Sequence, residues 1–130
     1  MRTSRSTAYG LLAAGYIAQN QDKGIILSQT IAKAYKIPLE YLLKIMQQLV
    51  RAQILRSKRG PRGGFSLARP AARITMLDII EAVEGPMDVS LGLDENAPRS
   101  RFTGKTEQAY GKVVAQARAA MKKVKLSDLI

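Results

Sequence analysis

Side chains able to do covalent or metal chemistry are scarce in this chain. Among its 130 residues there is no cysteine and no histidine. That excludes disulfides, thiolate and imidazole metal sites, thiolate-held iron–sulfur clusters, cysteine nucleophiles, the Ser-His-Asp triad and the ordinary near-neutral proton switch. Two carboxylate pairs remain. Glu81 and Glu84 stand three apart in a helical stretch, which is the spacing of a solvated helix face. Asp94 and Glu95 lie adjacent in a polar segment, without the histidine that would turn them into a metal site. Residues 104–106 read GKT, like the end of a P-loop, but that loop needs a glycine five residues before Gly104, where Arg99 stands, and no strand precedes it. The chain is therefore read as a non-enzyme that needs no cofactor.

The chemistry that the composition does favour is anion binding. Lys and Arg number 21 against 10 Asp and Glu, a net charge of +11 with a pI near 10.3, so the partner is a polyanion or an acidic surface. The excess is concentrated. From Arg51 to Arg73 there are seven cations (Arg51, Arg56, Lys58, Arg59, Arg62, Arg69, Arg73) and no acid. Within that stretch Ile54 and Leu55 start one strand, Phe65 and Leu67 alternate with polar residues in a second, and RGPRGG forms the tip between them. A cationic, glycine-rich hairpin tip can reach phosphates or the narrow minor groove, whereas a merely solvated turn would not carry charge of one sign only.

The elements that position this hairpin follow from periodicity and capping. A first helix is expected over 6–19, capped by Ser4 or Ser6, and a second begins at Ser28 as its cap, with Leu27 and Ala32 as a hydrophobic staple. Pro38 opens a third helix over 38–52 after only two or three residues, the spacing of a helix-turn-helix or of an ordinary helical hairpin. On its wheel Leu42, Ile45, Met46 and Leu49 share one face, and Glu40, Lys44, Gln47, Gln48 and Arg51 gather opposite. Thr75 and Asp78 make a capping box for a fourth helix that Gly85 and Pro86 stop, with Ile74 and Ile79 as its staple. Residues 86–104 lose periodicity and read as a loop. A last helix over 106–123 carries apolar residues at alternating spacings of three and four: Tyr110, Val113, Ala117, Ala120 and Val124, with Val114 and Met121 beside them. Such a seam serves packing within one chain or pairing of two.

The length fits one domain with a modest core. No apolar run reaches the 18 residues that a membrane-spanning helix needs. The opening segment imitates a signal peptide only faintly, because Tyr9, Gly10, Gly15 and Tyr16 interrupt it, and a cytoplasmic protein is expected. A membrane-surface role is disfavoured, since the cations sit on a hairpin and not on an amphipathic helix.

The run IPLEYLLKIMQQLVRAQILRSKRGPRGGFSLAR closely resembles the helix-turn-helix and wing of the Rrf2 family of bacterial transcription regulators. Met1, Arg2 and Thr3 with Tyr9, then ILSQTIAKAYKI, ITMLDIIEAVEG and the closing KVKLSDLI follow in the family's order and spacing, so the resemblance covers nearly the whole chain. It implies a mainly α (α+β) fold, a winged helix-turn-helix over 1–85, a loop over 86–104, and a dimerisation helix with tail over 105–130. The expected dimer residues are Tyr110, Val113, Val114, Ala117, Ala120, Met121 and Val124. DNA contacts carried over by position fall on Arg2 and Ser28, on Glu40, Tyr41 and Lys44, and on Arg59, Arg62 and the wing glycines such as Gly63. Gln29, Gln48, Arg51 and Lys58 complete the expected interface. Two departures matter. Sensor members of the family hold an iron–sulfur cluster with three cysteines of the loop that this chain lacks, and Gln53 stands where many relatives have glycine, which bears on the local turn.

The expected function is a homodimeric, sequence-specific regulator, in the repressor sense, binding double-stranded DNA at a pseudo-palindromic operator. The alternative is a winged-helix module that binds a partner enzyme. Any signal must come from a small molecule, a protein or abundance alone, and the space lined by the loop over 88–102 is where an effector would act.

Overall fold

The computed structural model describes residues 4–59 and 64–130, so the expectations placed on Arg2, Arg62 and Gly63 lie outside the described residues. Five helices, α1 (Arg5–Gln19), α2 (Ser28–Tyr35), α3 (Leu39–Arg51), α4 (Met76–Glu84) and α5 (Arg101–Lys123), enclose one hairpin of β1 (Leu55–Lys58) and β2 (Gly64–Leu67). The mainly helical fold with a winged helix-turn-helix and a long C-terminal helix is the one the sequence implied.

Helix α1 starts at Ser4, whose side chain accepts from the Thr7 N–H, and buries Gly10, Ala13, Ala14, Ile17 and Ala18 at helical spacing. Small residues on that face let α4 come close: a Cβ built on Gly10 would lie 2.9 Å from Val83 Cγ2. Helix α3 buries Leu42, Ile45, Met46 and Leu49, the face its wheel predicted. Between α2 and α3 the chain turns at Lys36, which adopts left-handed φ of 55°, and Ile37 drops into the core at 4% exposure. Pro38 then caps α3, its carbonyl accepting from the Leu42 N–H.

The hairpin pairs Leu55 with Leu67, Arg56 with Ser66, Ser57 with Phe65 and Lys58 with Gly64. Ile26 adds a single antiparallel bridge on the other edge of β2, exchanging both backbone hydrogen bonds with Phe65 at 2.9 and 2.8 Å. The approach is close enough that a Cβ on Gly64 would sit 2.6 Å from the Ile26 carbonyl oxygen. A wing built only on Ile54, Leu55, Phe65 and Leu67 would hang free. With Ile26 it is stitched to the segment that leads into α2.

After α4, opened by the expected Thr75–Asp78 capping box, the chain crosses to α5 and returns. Met121 and Ala117 of α5 pack on Leu77 and Ile80 of α4. The tail then pairs with the start of α4, Leu126 N donating to the Ile74 carbonyl and Met76 N to that of Val124, each at 2.8 Å. Leu126, 2% exposed, belongs to the same core as α1 and α3.

Three local expectations differ from the structure. Ser28 is the first residue of α2 and nine-tenths buried; Leu27 takes the cap position through its carbonyl, which accepts from the Thr30 N–H. Leu27 itself is 45% exposed, so no staple with Ala32 forms. Helix α5 begins at Arg101, because Ser100 and Thr103 make a reciprocal capping box that the sequence reading missed, and the loop shortens to 86–100. Residues 104–106 therefore lie inside a helix, where no phosphate loop can form.

Candidate nucleic-acid interface

The outer face of α3 presents Glu40, Tyr41, Lys44, Gln47 and Arg51 to solvent, with Gln48 half-buried at its edge. Together with Ser6 of α1, and over a floor of Leu43 and Ile45, Tyr41, Lys44, Gln47, Gln48 and Arg51 line a concavity of about 490 Å³. Over the apolar floor, amides, hydroxyls and cations rim that surface, the donor set that reads base edges and phosphates. Gln47 belongs to it through the same helical spacing that selected Lys44. Ser6 was missed, because nothing in the sequence places the start of α1 beside the start of α3.

Arg56, Lys58 and Arg59 lie exposed on and beyond β1, directly after α3. Arg69, counted among the seven cations of the hairpin region, is engaged with Asp78 at 3.3 Å and contributes less positive field. Gln29 is exposed on α2, while Ser28 beside it faces inward. The left-handed turn at Gln53, φ 61°, is retained without glycine.

The two glutamates of α4, expected to be a solvated face, are both engaged. Glu84 accepts from the Ser4 N–H and from the hydroxyls of Ser4 and Thr7, tying α4 to the start of α1, and these hydroxyl bonds hold its carboxyl below the ordinary value of 4.5. Glu81 takes a two-pronged hydrogen bond from Arg118 of α5, 3.1 Å from Nε and 3.0 Å from Nη2, and a third from the Met87 N–H at 3.0 Å. Chiefly the Arg118 bond lowers its carboxyl, with burial opposing. Glu107 of α5 accepts from the backbone N–H groups of Leu93 and Leu91, both at 3.1 Å, which pins the loop to α5 and lowers that carboxyl too. Compositional reasoning favours solvation for such residues; only the tertiary arrangement reveals their partners.

The seam on α5 resolves into two adjacent stripes. Tyr110, Val114, Ala117, Met121 and Val124 turn toward the rest of the chain, with Val114 6% and Met121 7% exposed. One residue before Thr103, Tyr110, Val114 and Met121, the side chains of Phe102, Ala109, Val113 and Ala120 face outward, with Phe102 73% and Val113 61% exposed. A step of one residue is about 100° around a helix, so a three-four pattern two residues wide covers both faces. Of the residues expected in a dimer seam, Ala117 and Met121 pack on α4 of their own chain, and Val114 is buried beside them at 6% exposure.

The Rrf2 family model, described as an iron-dependent transcriptional regulator, matches residues 3–130. The chain belongs to the Rrf2 family of transcriptional regulators. Among its relatives, one in Aquifex aeolicus named for HTH-type transcriptional regulation is 44% identical over 60% of this chain, and the match spans about half, 54%, of that relative. The regulator IscR of Cereibacter sphaeroides is 30% identical over the full chain and 87% of its own length. The fold matches that of CymR, the global cysteine regulator of B. subtilis, with a TM-score of 0.81 at 24% identity, over 99% of this chain and 95% of CymR.

Iron fits the family description and not these residues. Thiolate or imidazole ligands are missing, since the chain has no Cys or His. In the loop, Asp88 Oδ1 accepts from the Ser90 N–H and Asp94 faces Arg99, and among the described residues no three acidic groups converge.

Proposed function

We propose that this protein is a cytoplasmic, homodimeric regulator that binds specific double-stranded DNA and represses transcription without an iron–sulfur cluster. The observation that carries this reading is the donor-rich face of α3 lying next to the acid-free cations of β1. Helix α3 enters the major groove, where Lys44 and Gln48 meet base edges; Arg59 brings the wing to the backbone or minor groove. Two copies related by a two-fold axis place their recognition helices about 34 Å apart, matching a pseudo-palindromic operator. The outward stripe of α5, centred on Val113, is the surface that pairs them. The signal is a small molecule, a partner protein or abundance.

Selection of bound sequences from fragmented genomic DNA, followed by fluorescence anisotropy, tests the reading. A selected duplex binds well above a scrambled one, Lys44→Ala and Arg59→Ala each weaken binding by about 1–3 kcal/mol, and iron, nitric oxide and thiol oxidants leave it unchanged. If six to ten phosphates are contacted, affinity falls about 10³ to 10⁵ fold between 50 and 200 mM salt. Binding with no sequence preference overturns the regulator reading and favours a protein-binding module. For the dimer, light scattering decides: Val113→Glu yields monomers with unchanged helicity, and a wild type that is monomeric at micromolar concentration removes the two-fold operator.

A further inference from the structure

Tyr41 is an exposed tyrosine held from two sides by α1. Its ring meets Tyr9 edge-on, centroids 5.6 Å apart and planes at 89°, and its hydroxyl is hydrogen-bonded to Ser6 Oγ. An aromatic side chain 42% exposed on a helix surface ordinarily samples several rotamers. Here the edge contact fixes the ring and the hydroxyl bond fixes its end.

The hydroxyl pair fixes the orientation of a donor that a lone hydroxyl would leave free to rotate. Two hydroxyls carry two protons, and their mutual bond uses one. With Ser6 donating to the phenol oxygen, the O–H left free is that of Tyr41, which is then presented to an outside acceptor. The pair borders the concavity described above, with Lys44 one turn along α3 and Arg51 on the same lining. Glu84, the acid bonded to the start of α1, has its carboxylate occupied by Ser4 and Thr7. Glu40, next to Tyr41 in sequence, is exposed and does not line the concavity. An anion arriving there meets two cations and a directed hydroxyl.

We infer that Ser6 and Tyr9 are positioning residues that hold the Tyr41 hydroxyl as a fixed donor to one DNA backbone phosphate, so that α1 sets the register in which α3 meets the groove. The inference rests on the DNA-binding reading and assigns the grip at one edge of it. A phosphate contact carries no base information, so its loss weakens all sequences alike.

The test uses full-length protein, the duplex recovered by selection, and a scrambled duplex of equal length. Tyr41→Phe keeps the ring on Tyr9 and removes the hydroxyl; it weakens both duplexes by about tenfold per protomer, the worth of one hydrogen bond to a charged acceptor. Ser6→Ala leaves the phenol unanchored and weakens both about threefold, Ser6→Thr restores binding, and Ser6→Ala added to Tyr41→Phe costs nothing more. A scan replacing single phosphates by neutral methylphosphonate finds one position per half-site where the wild type weakens and Tyr41→Phe does not, a readout that loss of packing would leave unmoved. Circular dichroism verifies that each variant is folded. Wild type that binds neither duplex overturns the regulator reading and this inference with it. Wild type that binds while Tyr41→Phe is unimpaired, or is impaired only on the selected duplex, overturns this inference alone, as does a Ser6→Ala variant indistinguishable from wild type.

Discussion

The body formed by α1 to α4 and the hairpin is held by exclusion of apolar side chains from water, whereas residues 86–100 and the start of α5 are held by carboxylates. In the body Ile17, Ile31, Leu42, Met46, Leu49, Ile54, Ile74 and Ile79 are all under 2% exposed. In the second region Val89, Leu91 and Phe102 stand 54%, 44% and 73% exposed, and the backbone is fastened by Glu81 on Met87 and by Glu107 on Leu91 and Leu93. Apolar burial is non-directional and cooperative, so it makes a rigid platform for α3. A few exposed charge-assisted hydrogen bonds fix a path for the chain with little stabilisation, and such regions open locally at low cost. The contrast places α3 on the rigid part and leaves residues 86–100 held by a few polar bonds.

Leu49→Ala empties a fully buried site beneath α3 and lowers unfolding free energy by about 2–5 kcal/mol. Glu107→Gln leaves the urea midpoint nearly unchanged and instead speeds amide exchange at Leu91 and Leu93. Hydrogen exchange read by mass spectrometry, alongside urea titration, checks both. Equal losses of global stability would show that loop and body unfold as one unit, and the distinction would fail.

A middle-sized effect lies at the joint between the regions, where Glu81 bonds Arg118 and Met87. Its carboxyl sits below the ordinary 4.5 in the folded protein, so the folded state favours the ionised form. That contribution is fully present above the ordinary carboxylate range and is lost as pH falls through the lowered folded value. With the Glu81 side chain 20% and that of Arg118 42% exposed, solvent screens the pair and the loss stays well below that at Leu49. Glu81→Gln therefore lowers the urea midpoint at pH 7, and the gap from wild type narrows in acid. A gap independent of pH would assign the effect to packing.

The body was legible in the sequence and the limb largely was not, for one reason. Periodicity reports burial, and burial makes the body: the wheel of α3, the Thr75–Asp78 box and the alternation of Phe65 and Leu67 each led to the observed element. Carboxylate partners report nothing locally. Glu81 and Glu84 look like surface because their partners, Arg118 and Ser4, lie 37 and 80 residues away. The Ser100–Thr103 box was invisible because the usual box has an acidic or amide side chain at its far end, and threonine does the same work here with its hydroxyl, Oγ1 accepting from the Ser100 N–H at 2.9 Å. The candidate interface could be drawn from the sequence on α3 and β1, where charge and periodicity coincide. At Ser6 it could not, because only the fold brings α1 to Tyr41.

The smallest effect lies inside the body, at the turn joining α3 to β1. There the Ile54 N–H reaches back to the Leu49 carbonyl and the Gln53 N–H to that of Val50, both at 2.9 Å, a Schellman ending with Ile54 packed in the same core as Leu49. The motif requires a left-handed residue after the cap, and Gln53 supplies it at φ 61°. A side chain in that region costs about 1–2 kcal/mol, and glycine removes the cost while gaining about 0.4–1 kcal/mol of unfolded-state freedom. Gln53→Gly should therefore stabilise the protein by about 0.5–1 kcal/mol, read as a higher urea midpoint at unchanged slope. Because Gln53 is exposed and lies outside the concavity beside α3, the affinity for the selected duplex stays as in wild type. A gain in stability accompanied by weaker binding would mean that the angle between α3 and the wing depends on the glutamine, and that the platform is less rigid than its burial implies.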